Sequence, residues 1–169
     1  MVRMIVSAHS DNEFGFYDRN RPPVMLEPGL VGTPPADAKP DTDVALLNAM
    51  IHTIIEEGLV AESFIAERTS GYDLLRQNAA GHSPEAMADV CGIPAATIRE
   101  VARAFATSRG SMILWGMGIS QHIHGTDNAR CLIALALMTG QVGRPGTGLH
   151  PLRGQNNVQG ASDAGLIPM

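Results

Sequence analysis

Between Gly110 and Gly116 the chain carries the short apolar run SMILW, residues 111–115, and this segment constrains the fold more than any other. The run is too short for a buried helix and glycine bounds it on both sides, so it reads as a buried β-strand. Ahead of it, Ile98, Val101, Ala102 and Phe105 recur at helical spacing behind Pro94, which predicts a helix ending at the SRG of 108–110. Behind it stand a glycine-bearing loop, GMGISQ (116–121), and then a long helix entered through HGTDN and running through Leu132, Leu135, Ala136 and Met138 to Thr139. Helix, strand, loop and helix make an α/β unit, so the predicted class is α/β and helix-rich. Ligands of such units gather at the carboxyl ends of the strands, which makes the loop after Trp115 a natural binding position. The loop is not a GxGxxG fingerprint, because the third glycine is missing.

Upstream, Val44, Leu47, Ile51, Ile54 and Ile55 share one face of a helix running from the DTD of 41–43 to about Glu57, with Gly58 closing it. Shorter helices are predicted at 62–67 and 72–78. Ser83 is expected to cap PEAMADVC, with Pro84 at the first helical position, where its missing N–H is harmless. The first forty residues differ in texture, with prolines at 22, 23, 28, 34, 35 and 40 and no sustained periodicity. They read as an irregular segment, residues 1–41, with a boundary near 41 and the main unit at 42–169. MVRMIVS at the start could form a short strand, but nothing after it looks like a partner.

Aromatic residues make up only 4% of the chain, so the core must be aliphatic. A net charge of −5 with a single lysine, Lys39, leaves no basic cluster for a nucleic-acid surface. The longest apolar run falls far short of the roughly 20 residues that span a bilayer, and the N-terminus lacks a basic region followed by an apolar one, so the expectation is a soluble cytoplasmic chain without membrane insertion. Cys91 and Cys131 form no CxxC pair, and no HExxH grouping exists, so no self-contained metal site is expected. Cys131 sits in the apolar helix and reads as a small core residue.

The chemistry concentrates after Thr139. Glycines at 140, 143, 146, 148, 154 and 160 let the backbone bend and approach a ligand closely. Among them Gln155, Asn156, Asn157 and Gln159 offer both donors and acceptors, which match a heterocycle rich in ring nitrogens and carbonyls. Arg153 offers a planar fork of N–H donors suited to a small carboxylate. By composition alone, a Gly- and Asn-rich loop with one arginine is more often a solvated connection. His150 borders the arginine, His122 and His124 read as exposed loop residues, and Asp163 suits either a polar partner or a helix cap.

From about Thr42 to Met169 the chain resembles the catalytic subunit of molybdopterin-dependent formate dehydrogenases, through WGMGISQH (115–122), LMTGQVGRPGTG (137–148) and PLRGQNNVQGASD (151–163). The TGxxGRPG pattern is shared across molybdopterin oxidoreductases, whereas RGQNNVQG is the formate dehydrogenase version. The resemblance implies a Rossmann-like αβα domain and oxidation of formate to carbon dioxide at a bis-pterin guanine dinucleotide centre holding molybdenum or tungsten. It implies that Arg153 orients formate, that Gln155 and its neighbours Gly154, Asn156, Asn157 and Gln159 contact the pterin, and that Met117 and Gln121 lie near the dinucleotide. Gly154 and Gly160 would let the backbone pass close to it.

Family subunits are several times longer and carry a Cys or selenocysteine metal ligand followed by histidine, together with iron–sulfur cysteines. Cys91 precedes Gly92 and Cys131 precedes Leu132, so neither fits. The expectation is a fragment with no metal ligand of its own, inactive alone, working with formate, the rest of its subunit, electron-transfer subunits and an acceptor such as NAD. The alternatives are a non-catalytic pterin-nucleotide-binding or docking remnant, or a relative such as a nitrate reductase.

Overall fold

The computed structural model describes residues 2–7, 42–154 and 156–166. Its strands are β1 (Val2–Ser7), β2 (Gly110–Trp115) and β3 (Gly148–Pro151), and among the described residues they form one parallel sheet in the order β1-β2-β3. The SMILW run is therefore the central strand. Ser111, Ile113 and Trp115 are buried, and Met112 and Leu114 are half-buried, as expected of a strand enclosed on both faces.

Two expectations need correction. The opening residues do have a partner, with Val2 opposite Gly110 and Ser7 opposite Trp115. That partner lies far downstream because parallel strands require a crossover, so a search for a neighbouring hairpin strand cannot find it. The glycine-rich stretch, read as a loop, also contains a strand. Residues 148–151 pair with 112–115 as a short strand whose glycine and proline mask any alternation. The remainder of the proline-rich segment, residues 8–41, lies outside the described residues.

The helices are α1 (Asp43–Glu56), α2 (Glu62–Arg68), α3 (Tyr72–Ala79), α4 (Pro84–Cys91), α5 (Ala95–Thr107), α6 (Met117–Ser120), α7 (Gly125–Met138) and α8 (Val158–Asp163). The long helix α1 packs against α3, α4, α5 and α7. Its buried stripe is accordingly wider than one face: Leu47, Ile51 and Ile54 are joined by Ala49, Met50 and Thr53, while Val44 and Ile55 are half-buried. Each of the large aliphatic side chains contributes about 1.5–3 kcal/mol by leaving water. α5 buries Ile98, Ala102 and Phe105 as its periodicity predicts. Ser83 caps α4 by accepting from the Ala86 N–H at 3.2 Å, with Pro84 at the first position and Gly92 left-handed at the end.

The TGQVGRPGTG stretch serves as a clamp that returns the chain from α7 to the sheet. The buried Gln141 side chain accepts from the Ser111 N–H at 3.0 Å and donates to the Ser108 carbonyl at 3.1 Å. Arg144 donates to the Gly140 carbonyl, to the Arg109 carbonyl and to the Gln141 oxygen. A Cβ on Gly110 would sit 2.9 Å from the Gly146 carbonyl oxygen, so glycine is needed where the loop crosses the start of β2.

On the helical surface, Arg99 grips Glu85 with two donors and Glu56 with a third, and Arg103 grips Glu57 with two. The Arg103 hydrogen bonds hold the Glu57 carboxyl below its ordinary value, against a smaller opposing effect of burial.

Two outcomes follow from these contacts. Gln141→Ala strands the buried Ser111 N–H and should lower unfolding free energy by about 2–3 kcal/mol in urea titrations, while Gln141→Glu should fail to restore it because the donor to Ser108 is lost. A depressed carboxyl contributes stability above the unfolded carboxylate value, 4.5, and loses it as pH falls through its folded value. Glu57→Gln should therefore cost about 0.5–1 kcal/mol near neutral pH and flatten the acid limb of the stability profile.

Candidate functional site

Because β2 and β3 are parallel, their carboxyl ends lie side by side, with Trp115 opposite Pro151. Two loops leave the sheet at that edge. One is the GMGISQ segment and the other carries Arg153. They are joined at once by a backbone hydrogen bond from the Leu152 N–H to the Trp115 carbonyl at 2.6 Å. One step further, Gly154 lies under Met117: a Cβ there would sit 2.5 Å from Met117 Cε and 2.9 Å from its Sδ. Segments that are separate in sequence thus form a single edge of the molecule.

The loop after Trp115 contains the one-turn helix α6, which its two glycines conceal from periodicity. Met117 opens the turn and is half-buried, and Gln121 closes it, exposed, with its N–H on the Met117 carbonyl at 2.8 Å. Arg153 is exposed and takes no ion-pair partner among the described residues. Gly154 and Asn156 are exposed beside it. Gln155 lies outside the described residues.

The later amides are partly committed to structure. Asn157 is the N-cap of α8, its oxygen accepting from the Gly160 N–H at 3.0 Å, and Gln159 donates to Asp163 at 2.9 Å. Asp163 therefore ends a helix instead of capping a following one. A Cβ on Gly160 would fall 2.2 Å from Asn157 Nδ2, so that glycine makes room for the cap. The free capacity that remains includes the whole Asn157 NH2 and the whole Gln159 oxygen, with one further site on each committed group.

Other candidates are set apart from this edge or held by local contacts. His150 is exposed on β3. His124 is exposed, 4.0 Å from Asp127, and His122 Nε2 meets the Gly118 carbonyl. Both cysteines pack against α1 or its start: Cys91 is buried with its Sγ toward the Thr42 carbonyl, and Cys131 faces Asn48. Burial, with help from Asp127, pushes the Cys131 thiol up to about 11, so it stays protonated near neutral pH. Among the described residues no three His, Cys, Asp or Glu side chains converge as a metal would need. No helix of the described residues is long and apolar enough to cross a membrane.

Sequence reasoning passed over one residue that bears on this edge. Asn128 is 2% exposed within the apolar face of α7, and its Nδ2 donates to the Ile119 carbonyl at 2.9 Å. The signal was present as a polar residue one turn into an apolar helix, four positions before the buried Leu132. Chemically, the edge combines a solvent-facing guanidinium, unspent amide groups and an exposed glycine packed against Met117. Such a surface can grip an anionic or amide-rich planar ligand.

The family profile described as molybdopterin oxidoreductase matches residues 36–167. Formate dehydrogenase H of Escherichia coli is 46% identical over 130 residues, covering 77% of this chain and 18% of that protein. The alpha subunit of formate dehydrogenase 2 of Methanococcus maripaludis is 43% identical over 129 residues, covering 76% and 19%. Among solved structures, acetylene hydratase from Pelobacter acetylenicus is similar with a TM-score of 0.60 at 26% identity, over 61% of this chain and 14% of that one. The chain spans less than one fifth of the length of the curated relatives it matches. On the match across most of its length, and with an α/β fold shared with a solved member, this chain belongs to the molybdopterin oxidoreductase family.

Proposed function

We propose that the chain is a segment of the catalytic subunit of a formate dehydrogenase, in which Arg153 orients formate for oxidation to carbon dioxide, a proton and two electrons. The observation that carries this reading is the placement of Arg153: an exposed guanidinium without an ion-pair partner among the described residues, on a loop anchored to the end of the central strand. The RGQNNVQG sequence and the formate dehydrogenases among the relatives support it.

The donor set fits a pterin dinucleotide. Gln121, Asn156, the Asn157 NH2 and the Gln159 oxygen would hold its rings and amides, with Met117, packed on Gly154, alongside and Gln155 next in the sequence. When bound as a bis-pterin guanine dinucleotide complex of molybdenum or tungsten, the cofactor supplies the two-electron chemistry. Arg153 supplies orientation. A planar fork takes both carboxylate oxygens at once, so the C–H bond points away from the arginine and toward the reacting centre. Neither cysteine lies on this edge, so on this reading the thiolate or selenolate ligand and the iron–sulfur cysteines would come from the rest of the subunit, and the electron acceptors from partner subunits. A cytoplasmic enzyme passing electrons to NAD or another acceptor is consistent with this reading.

The likeness to acetylene hydratase favours a second reading, in which the edge holds pterin for another reaction and Arg153 serves the cofactor instead of formate. A single substitution separates the two. In the complete subunit, Arg153→Lys should lower formate turnover by about 10²-fold or more, with metal content by mass spectrometry near that of the unaltered enzyme. Full activity of that variant would refute the formate role, and loss of metal would favour the second reading.

A further inference from the structure

The turn that carries Met117 cannot hold itself in place. α6 is four residues long and has no side-chain cap, well below the length at which a helix is stable alone. The first turns of α7 hold it from outside. A Cβ on Gly125 would sit 2.0 Å from the Ser120 carbonyl oxygen, so the start of α7 is pressed against the end of α6. At the next turn Asn128 reaches back to the Ile119 carbonyl.

The Asn128 amide is a poor device for stability. Its Oδ1 is buried with no hydrogen-bond partner among the described residues, and burying an unmet acceptor costs at least as much as the single bond of the amide gains. It is a good device for fixing a short turn, because it is buried, short and aimed at one carbonyl. What the turn positions is equally specific: Met117, the first residue of α6, fills the space over Gly154, and Gly154 directly follows Arg153.

We infer that Asn128 is a positioning residue which, by holding α6 through Ile119, seats Met117 against Gly154 and thereby sets the position of Arg153. The identity of the anion rests on the formate reading above, whereas the mechanical coupling does not. Releasing α6 leaves the pairing of β2 and β3 intact and frees residues 152–154 to move. Formate must then order the arginine loop as it binds, so the effect falls on binding more than on the step that follows.

The test uses the complete subunit with Asn128→Leu, the milder Asn128→Ser, Met117→Ala and the Asn128→Leu/Met117→Ala pair. Hydrogen exchange should quicken about fivefold or more at the amides of 152–154 in every variant, with β2 amides unchanged. In the two Asn128 variants KM for formate should rise about five- to tenfold with kcat within about twofold, and the pair should quicken exchange no more than the larger single change, since both act through one chain of contacts. Unchanged exchange at 152–154 in both Asn128 variants would overturn the inference, as would additive effects of the pair or a fall in kcat with KM unchanged. Should the unaltered subunit oxidise no formate, the formate reading fails while the exchange pattern still decides the coupling.

Discussion

Parallel pairing between β2 and β3 is the constraint on which the rest of the molecule depends, because it sends two strands out of the sheet at the same edge. An antiparallel pair would have placed the end of one beside the start of the other, and Trp115 and Arg153 would lie at opposite ends. Parallel pairing in turn demands a crossover, which α7 supplies, and a return from its far end to the start of β3. Gln141 and Arg144 make that return by satisfying carbonyls and an N–H around the start of β2. The TGQVGRPG stretch is thus explained by the sheet, and it lies at the opposite end of β2 from the edge that carries Arg153.

The local elements were largely legible in the sequence. Ser83, Pro84 and Gly92 announce both ends of α4, and Ile98, Ala102 and Phe105 announce the buried face of α5, because capping and periodicity are properties of neighbouring residues. The partner of β1, and β3 itself, were missed for the opposite reason: the pairing strand is brought to them by tertiary structure, and nothing in VRMIVS or GLHP names it. The same limit applied to the site. Met117 and Gly154 could each be singled out, but their contact depends on where α7 carries the chain between them.

Several residues first considered for a ligand have structural duties that narrow what they can offer. Gly160 is glycine because the Asn157 cap occupies the space of its Cβ, and the cap takes up one acceptor site of Asn157. Gln159 retains its oxygen. Such double use limits the poses a bound heterocycle can adopt, since one hydrogen-bonding site of Asn157 and one of Gln159 are already taken and hold each amide in a set orientation. A loop that composition would class as a solvated connection is therefore partly ordered by its own cap, its backbone bond to β2 and the weight of Met117.

Exposure sets the strength of what this edge can do. A carboxylate 4 Å from a guanidinium gains about 1 kcal/mol in bulk water, and several times that where the surroundings resemble a protein surface or interior. Arg153, Asn156 and Gln121 are all exposed, so these residues by themselves provide sign and direction with little affinity. Tight binding of a small anion requires that cofactor or protein close over them and exclude water, which raises the interaction energy without altering the geometry. Stability and affinity are accordingly separated in this chain. The aliphatic stripe of α1 and the Gln141 clamp secure the sheet, and the sheet holds out two loops whose binding strength depends on what covers them.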